Sequence, residues 1–222
     1  MERTEILALT EYLKQYVTSE RLARMEEILS LRTRYIVLGL ENIYHPHNAN
    51  AVLRTCDAMG VQDIHIIEDA NRFSPSDGVA LGTSKWLSLY RYKSAETAIA
   101  ELRKSGYRII ATTPHHNPTP LEEVDIEAGP CVFFFGGEVS GLREVVLDNA
   151  DEYLAIPMYG FVESLNISVS AGMVLQSVVS KLRKSSVDWR LSDYEREELL
   201  LDWLRKSIRN VDAIEKRFYG IS

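Results

Sequence analysis

Asn48 and Arg54 have residue types and a spacing that could do chemistry. They lie in "NANAVLRTCDAMG", which has the pattern of a helix closed by Gly60 and follows the compact apolar run "RYIVLGL". A guanidinium presents a planar fork of donors that suits a phosphate. Because open α/β sheets bind ligands beyond the carboxyl ends of their strands, this pair is a candidate site. An ordinary surface or ion-paired arginine fits the same pattern.

A second candidate is the glycine turn in "FFFGGEVSGL". Gly136, Gly137 and Gly141 would let the backbone approach a ligand closely, although glycines at strand ends also form plain turns. Glu138 either caps the amides of the following turn or orients a substrate. The chain contains neither GxGxxG nor GxxxxGK[ST], so the common nucleotide-binding folds are not indicated.

The third candidate is the junction "IPMYGFVESLNISVSAG". Ser164 and Asn166 precede an apolar-periodic stretch, and both residue types are favoured helix N-caps. By residue type alone, a structural cap explains this junction better than a ligand site does. His45 and His47 flank Pro46 and suggest acid/base or metal chemistry, but we interpret them as loop histidines and predict no metal site.

Alternating apolar runs and amphipathic stretches must position these residues. The predicted strands are "RYIVLGL", "DIHII", "WLSLYRY", "YRIIATT", "CVFFFGG" and "EYLAIPM". Predicted helices lie between them, a long helix covers about 166–182, and further helices occupy both ends of the chain. Buried strands that alternate with helices predict an α/β fold with a mostly parallel sheet.

Charge and composition limit the function classes. The net charge is −7, but residues 35–180 carry nine basic and 18 acidic side chains, whereas 181–222 carry ten basic and eight acidic ones. A uniformly basic nucleic-acid binder is therefore excluded, while local basic faces on the flanking helices are not. The first residues lack the apolar core of a signal peptide, no run is long enough to span a membrane, and the two cysteines lack metal-ligand spacing. These features predict a reduced cytoplasmic protein that does not associate with membranes.

Taken in order, "NANAVLRTCDAMG", "FFFGGEVSGL" and "IPMYGFVESLNISVSAG" resemble the three motifs of the SpoU/TrmH branch of the SPOUT RNA 2'-O-methyltransferases. The shorter stretches "LENIYHPHN", "TSKW" and "DWLRK" are similar to the TrmH group within it, the tRNA (guanosine-18-2'-O)-methyltransferases. The resemblance implies a C-terminal deep trefoil knot, a homodimer formed through the knot region, and S-adenosylmethionine as methyl donor. It also implies a catalytic domain of residues 34–184 between helical extensions at 1–33 and 185–222.

The resemblance also assigns residues. The implied catalytic set is Asn48, Arg54, Glu138, Ser164 and Asn166. The implied cofactor-binding set is Thr112, Thr113, Gly137, Gly141, Ile156, Pro157, Met158, Ser164, Leu165 and Asn166. Implied RNA contacts are Lys85 and, on the flanking helices, Arg21, Arg24, Arg32, Arg183, Lys184 and Arg205.

The resemblance leaves the substrate open between related RNAs. Methylation of the D-loop guanosine at position 18 of tRNA is the reading that the shorter stretches favour. Alternatives are a ribosomal RNA or another tRNA ribose modified by the same chemistry, and, from a different class, a non-catalytic RNA-binding module. Because Asn48, Arg54 and the other motif residues are all present, the non-catalytic alternative is disfavoured.

Overall fold

The computed structural model describes residues 1–69, 73, 82–137 and 140–220. The chain divides into two compact units, one made of Met1–Arg32 with Arg190–Ser222 and the other of Thr33–Trp189. No described helix is both long enough and apolar enough to cross a membrane.

The unit built from the two chain ends is helical. Its helices are α1 (Arg3–Lys14), α2 (Ser19–Leu29), α7 (Asp193–Ser207) and α8 (Val211–Phe218). Thr18 caps α2 by accepting from the amide of Arg21, and Ser192 caps α7 in a reciprocal capping box with Glu195. The apolar faces of α1 and α7 pack together, so the two ends of the chain share one small core.

The other unit contains a seven-stranded, fully parallel sheet. Its strands are β1 (Ile36–Glu41), β2 (Asp63–Ile67), β3 (Ser88–Tyr92), β4 (Arg108–Thr112), β5 (Thr119–Pro120), β6 (Cys131–Phe135) and β7 (Glu152–Ala155). They are arranged in the order β3-β2-β1-β6-β4-β7-β5. The central strands β1, β2 and β6 are buried along their whole length, as expected for strands covered on both faces.

Helices cover both faces of this sheet. The helices α3 (Pro46–Met59) and α6 (Ile167–Lys184) pack side by side on one face against residues such as Leu38, Ile64 and Phe133. On the other face, α4 (Ala95–Lys104) and the single-turn α5 (Glu144–Leu147) cover Val37, Val132 and Phe134 among others. The predicted α/β fold with a parallel sheet and flanking helices is confirmed. The trefoil knot stays a prediction.

One predicted strand begins too early, and one strand was not predicted. The run "WLSLYRY" predicts a strand from Trp86, with Lys85 at its start, but Thr83–Trp86 forms a turn of 3-10 helix and β3 begins only at Ser88. The edge strand β5 was not expected because it is two residues long and contains a proline, which suits an edge.

Candidate active site

The carboxyl ends of β1, β6, β4 and β7 form a continuous edge, because these four strands are neighbours and parallel. The segments that leave this edge carry all three sequence motifs. They lead from β1 into α3, from β6 into the glycine turn, and from β7 towards α6. A switch in strand order also falls here, since β1 continues to β2 on one side while β6 and β4 lie on the other.

Asn48 and Asn166, 118 residues apart in sequence, meet at this edge. The Nδ2 of Asn166 donates to the Oδ1 of Asn48 at 3.1 Å. The Oδ1 of Asn166 accepts from the amide and the hydroxyl of Ser168, at 2.8 and 2.6 Å. Because a backbone amide can only donate, this contact fixes the orientation of the Asn166 side chain and hence which atom faces Asn48.

Asn166 is therefore the N-cap of α6, as predicted, and it also ties α6 to the first turn of α3. Ser164 does not share the capping role, since it is exposed two residues earlier and α6 is capped by Asn166 alone. Ser168 was missed by sequence reasoning. Its place two residues after a predicted N-cap asparagine was the available signal, because asparagine oxygens commonly accept from that amide.

Arg54 lies on α3 with an exposed side chain. It makes no hydrogen bond or ion pair to another residue of the described ranges, whereas Cys56, two residues later, is fully buried. A guanidinium that has no partner within the described chain retains its donors for an external anion. Cys56 is packed in the core and is not placed to act as a nucleophile.

The glycine turn, defined here by Gly136, Gly137, Ser140 and Gly141, is closely packed at its first two glycines. A Cβ at Gly136 would lie 2.0 Å from the carbonyl carbon of Gly141, and one at Gly137 would lie 3.0 Å from the backbone oxygen of Asn42. The amide of Gly141 donates to the oxygen of Gly137 at 3.0 Å, and Gly141 has a φ of +64°. Glu138 lies outside the described residues, so both readings of its role stay predictions.

An ionic network behind this turn was not foreseen from the sequence. Arg143 donates from its backbone amide and its Nε to the carboxylate of Glu41, at 2.9 and 2.8 Å. It also forms an ion pair with Asp69, which accepts from the Nδ2 of Asn42 at 2.6 Å. Although burial opposes the charge, the hydrogen bond and attraction from Glu41 raise the pKa of Arg143. The sequence shows an acidic residue at or just after the ends of two strands, Glu41 and Asp69, but it does not show which basic side chain pairs with them.

The remaining predicted cofactor residues line the same edge. Thr112 ends β4 and its hydroxyl donates to the oxygen of Phe134 at 2.7 Å, while the amide of Thr113 donates to Leu154 at 2.9 Å. The other residues of this set follow β7 and are partly buried, and they are Ile156, Pro157, Met158 and Leu165.

The predicted RNA contacts differ in availability. Arg21, Arg24, Arg183 and Lys184 are exposed, although Arg24 pairs with Glu27 and the guanidinium of Arg183 lies 4.8 Å from the ring of Trp189. Lys85 lies over the ring of Trp86, with 4.5 Å between its Nζ and the ring centroid. Arg205 forms a two-point ion pair with Glu215.

Arg32 requires a correction. Its side chain is 1% exposed and its guanidinium lies 5.4 Å from the ring of Trp203, inside the helical unit. A group in this position cannot reach a phosphate in solvent, so Arg32 stabilises packing instead of binding RNA.

Two other ionisable side chains are unsuited to chemistry at this site. Burial lowers the pKa of His65 to about 4 and raises the pKa of Cys131 to about 12. Within the described ranges, no group of three or more His, Cys, Asp and Glu side chains is placed to hold a metal ion.

Known proteins resemble this chain in sequence over the same three motifs. The SpoU rRNA Methylase family matches residues 35–176, which include all three motifs up to the middle of α6. The tRNA (guanosine(18)-2'-O)-methyltransferase of Borreliella burgdorferi is 40% identical over 95% of this chain and 96% of its own length.

Solved structures share the fold. The A. aeolicus TrmH/SpoU tRNA modifying enzyme superposes with a TM-score of 0.78 at 28% identity, covering 86% of this chain and 98% of its own. The SpoU methyltransferase AviRb of Streptomyces viridochromogenes, solved with AdoMet, has a TM-score of 0.59 at 20% identity and covers 72% of this chain and 65% of its own. With the family match extending over more than half of its residues and a relative aligned along almost its full length, the chain belongs to the SpoU rRNA Methylase family.

Proposed function

We propose that the protein transfers a methyl group from S-adenosylmethionine to a ribose 2'-hydroxyl of tRNA, at the D-loop guanosine in position 18. The observation that carries the proposal is the hydrogen bond between Asn48 and Asn166, which joins the first and third motifs at the carboxyl edge of the sheet. The name of the Borreliella burgdorferi relative supports tRNA and guanosine 18 as the substrate.

The glycine turn and the segment after β7 fit the methyl donor. Gly136 leaves no room for a side chain, Gly137 leaves little, and Gly141 has a φ that favours glycine, so a bare backbone is available to contact a ligand at this turn. Gly137, Gly141, Leu165 and Asn166 would hold the donor from two sides, with Thr112 and Thr113 at the adjoining strand end. The bound donor supplies a methyl group already activated by a sulfonium.

Arg54 prepares the acceptor in this proposal. A ribose hydroxyl is a poor nucleophile until its proton is lost or shared, so the protein must orient the oxygen and stabilise the charge that develops on it. A guanidinium carries donors and no acceptor and keeps its charge in proteins, so a role as neutral general base does not suit Arg54. It instead holds the phosphate beside the target ribose and polarises the hydroxyl, and a phosphate oxygen helps to take the proton.

A single substitution tests this role. Arg54→Lys keeps the positive charge but replaces the planar fork by a point charge. We expect single-turnover methylation to fall by at least about tenfold, a loss of about 1.4 kcal/mol of transition-state stabilisation. Near-normal single-turnover rates in this variant would contradict the two-point contact with phosphate and hydroxyl.

We further propose a homodimer through the knot region. Several large apolar side chains are exposed beside the site. Those on the segment after β7 are Tyr159, Phe161 and Val162, and those on α6 are Val169 and Met173. Monomeric proteins rarely expose contiguous apolar groups of this size, and a second copy would cover them. Sedimentation equilibrium tests this, since a monomer at micromolar concentration would contradict it.

We assign the catalytic step to residues 34–184 and RNA binding in part to the extensions at 1–33 and 185–222. Arg21 and Arg24 are exposed on the first extension, and Lys184 is exposed on α6 next to the second, so we assign phosphate contacts to them together with Lys85 and Arg183 of the catalytic domain; such contacts predict binding that weakens steeply with salt. Because the proposed substrate is an RNA of the cytoplasm, we place the protein in that compartment.

Ribose-methylation mapping of tRNA and ribosomal RNA from a deletion strain tests the substrate. We expect guanosine 18 of tRNA to lose its methyl group and ribosomal RNA to remain unchanged. Loss of a ribosomal RNA methyl group instead would favour the alternative substrate. Calorimetry with S-adenosylmethionine separates both from a non-catalytic module, which would bind none.

A further inference from the structure

Glu41 is a carboxylate with almost no access to water. It ends β1, and its side chain is 1% exposed. A buried charge is stable only when it is paired and hydrogen-bonded. Arg143 meets both needs, because its Nε lies 2.8 Å from one carboxylate oxygen and its backbone amide 2.9 Å from the other. The two residues are 102 apart in sequence, so this pair joins distant parts of the chain.

The backbone amide is the informative contact. It fixes the main chain of Arg143, two residues after Gly141, against the end of β1. The guanidinium of Arg143 also forms an ion pair with Asp69, which lies just after β2 and accepts a hydrogen bond from the Nδ2 of Asn42. The network thus connects the ends of two neighbouring strands to the exit of the glycine turn.

The start of the turn is fixed by packing. Gly137 lies against the backbone oxygen of Asn42, and Gly136 lies against the backbone of Gly141. Asn42 itself has a φ of +53°, a conformation that costs free energy and persists where surrounding contacts impose it. Its side chain is held by Asp69, the same residue that pairs with Arg143. A displacement of Arg143 would therefore reach both ends of the turn.

We infer that Arg143 is a positioning residue for the methyl-donor pocket, acting through Glu41 and Asp69 on the glycine turn. This inference rests on the proposed function, because it assigns the glycine turn to the donor. Arg143 does not touch the donor in this account. It holds the backbone in the shape that the donor binds, so its loss weakens donor binding without removing a donor contact.

The test compares Arg143→Met with a control matched in burial. Arg91 pairs with Glu68 at 2.8 Å, its side chain is 42% exposed against 41% for Arg143, and Glu68 is 6% exposed. Arg91 lies on β3, three strands away from β6 and the glycine turn, although its partner Glu68 directly precedes Asp69 in the sequence. Arg91→Met leaves the buried Glu68 without its arginine, and Arg143→Met leaves Glu41 and Asp69 without theirs. Both variants should lose stability, and Arg143→Met more of it, whereas only Arg143→Met should affect the donor site.

We expect calorimetry on the full chain to give a Kd for S-adenosylmethionine about tenfold higher for Arg143→Met, a change of about 1.4 kcal/mol, and unchanged for Arg91→Met. In turnover assays, the KM for the donor should rise more than kcat falls. Arg143→Lys, which keeps a charge near Glu41, should bind the donor with intermediate affinity. The double variant Glu41→Gln/Arg143→Met removes the unpaired charge at Glu41 but not the one at Asp69, so its Tm should recover in part while its Kd stays high.

Three outcomes would overturn the inference. The first is that Arg143→Met and the double variant fold and bind the donor with Kd values within about twofold of wild type, because the inference requires a change of about tenfold. An equal rise in Kd for Arg91→Met would show a general effect of lost stability. Wild-type protein that binds no S-adenosylmethionine would overturn the proposed function first, and this inference with it.

Discussion

Asn166→Ser should separate the two roles of the asparagine that caps α6. Serine caps a helix about as well as asparagine does, so the amide of Ser168 keeps an acceptor. The serine side chain is too short to span the present 3.1 Å contact between Asn166 and Asn48. Asn166→Ala removes both the cap and that contact, and it therefore serves as the comparison.

The magnitudes follow from the contacts that each variant loses. A helix N-cap contributes about 1 kcal/mol, and a side-chain hydrogen bond contributes about 1 kcal/mol net. Asn166→Ala should thus lose about 2 kcal/mol and Asn166→Ser about 1 kcal/mol. For a chain of this size, 1 kcal/mol corresponds to about 2–4 °C in Tm, so the expected losses are about 4–8 °C and about 2–4 °C.

Activity should follow a different order from stability. Both variants cut the link between α3 and α6, so we expect both to lose single-turnover methylation equally, by at least about tenfold. The assay is tRNA methylation with saturating donor, with Tm measured on the same samples. If Asn166→Ser kept wild-type turnover while Asn166→Ala lost it, the cap alone would matter and the reasoning about Asn48 would be refuted. Ser168→Ala, which retains the amide donor, is the milder control.

Two further predictions concern packing and pH. Gly136→Ala places a Cβ about 2 Å from the backbone of Gly141 and should lower Tm and donor affinity together. The control Gly172→Ala, whose Cβ would meet nothing within 4 Å, should leave both nearly unchanged or raise Tm. Calorimetry and thermal melts measure both quantities, and a Gly136→Ala variant with unchanged Tm and affinity would contradict the packing. Burial lowers the pKa of His65 from 6.5 to about 4, so the unfolded chain takes up a proton below pH 6.5 that the folded chain refuses until about pH 4. Stability should therefore fall as pH falls through that window, by about 2 kcal/mol at pH 5, and His65→Phe should flatten this part of the curve in urea titrations at pH 7 and 5.

Much of the sheet was predictable because its strands are buried on both faces. "DIHII" coincides with β2, and the apolar runs around β1, β4 and β6 locate those strands to within about two residues. The strand order was not predictable, since β6 lies between β1 and β4 through contacts that no local pattern encodes. The strand β5 was not predicted for a different reason, since two residues are too few to show a periodic pattern.

At the site, the helix cap could be predicted from the sequence, whereas the contacts between distant residues could not. Asn166 announces a helix start by its residue type, and α6 begins directly after it. Its partner Asn48 and the pairing of Glu41 with Arg143 depend on how distant segments meet. Arg32 shows the opposite error, because the resemblance implied an RNA contact for a residue that the fold buries over Trp203.

The shared core of the two chain ends has a consequence for biosynthesis. The apolar face of α1, with Leu9 and Leu13 fully buried in the finished protein, packs on α7. A ribosome that adds about 5–20 residues per second needs about 10–40 s to pass from the end of α1 at Lys14 to the start of α7 at Asp193. During that interval the apolar face of α1 lacks its partner and is open to chaperones, and it can bury its leucines against α7 only when α7 has been synthesised.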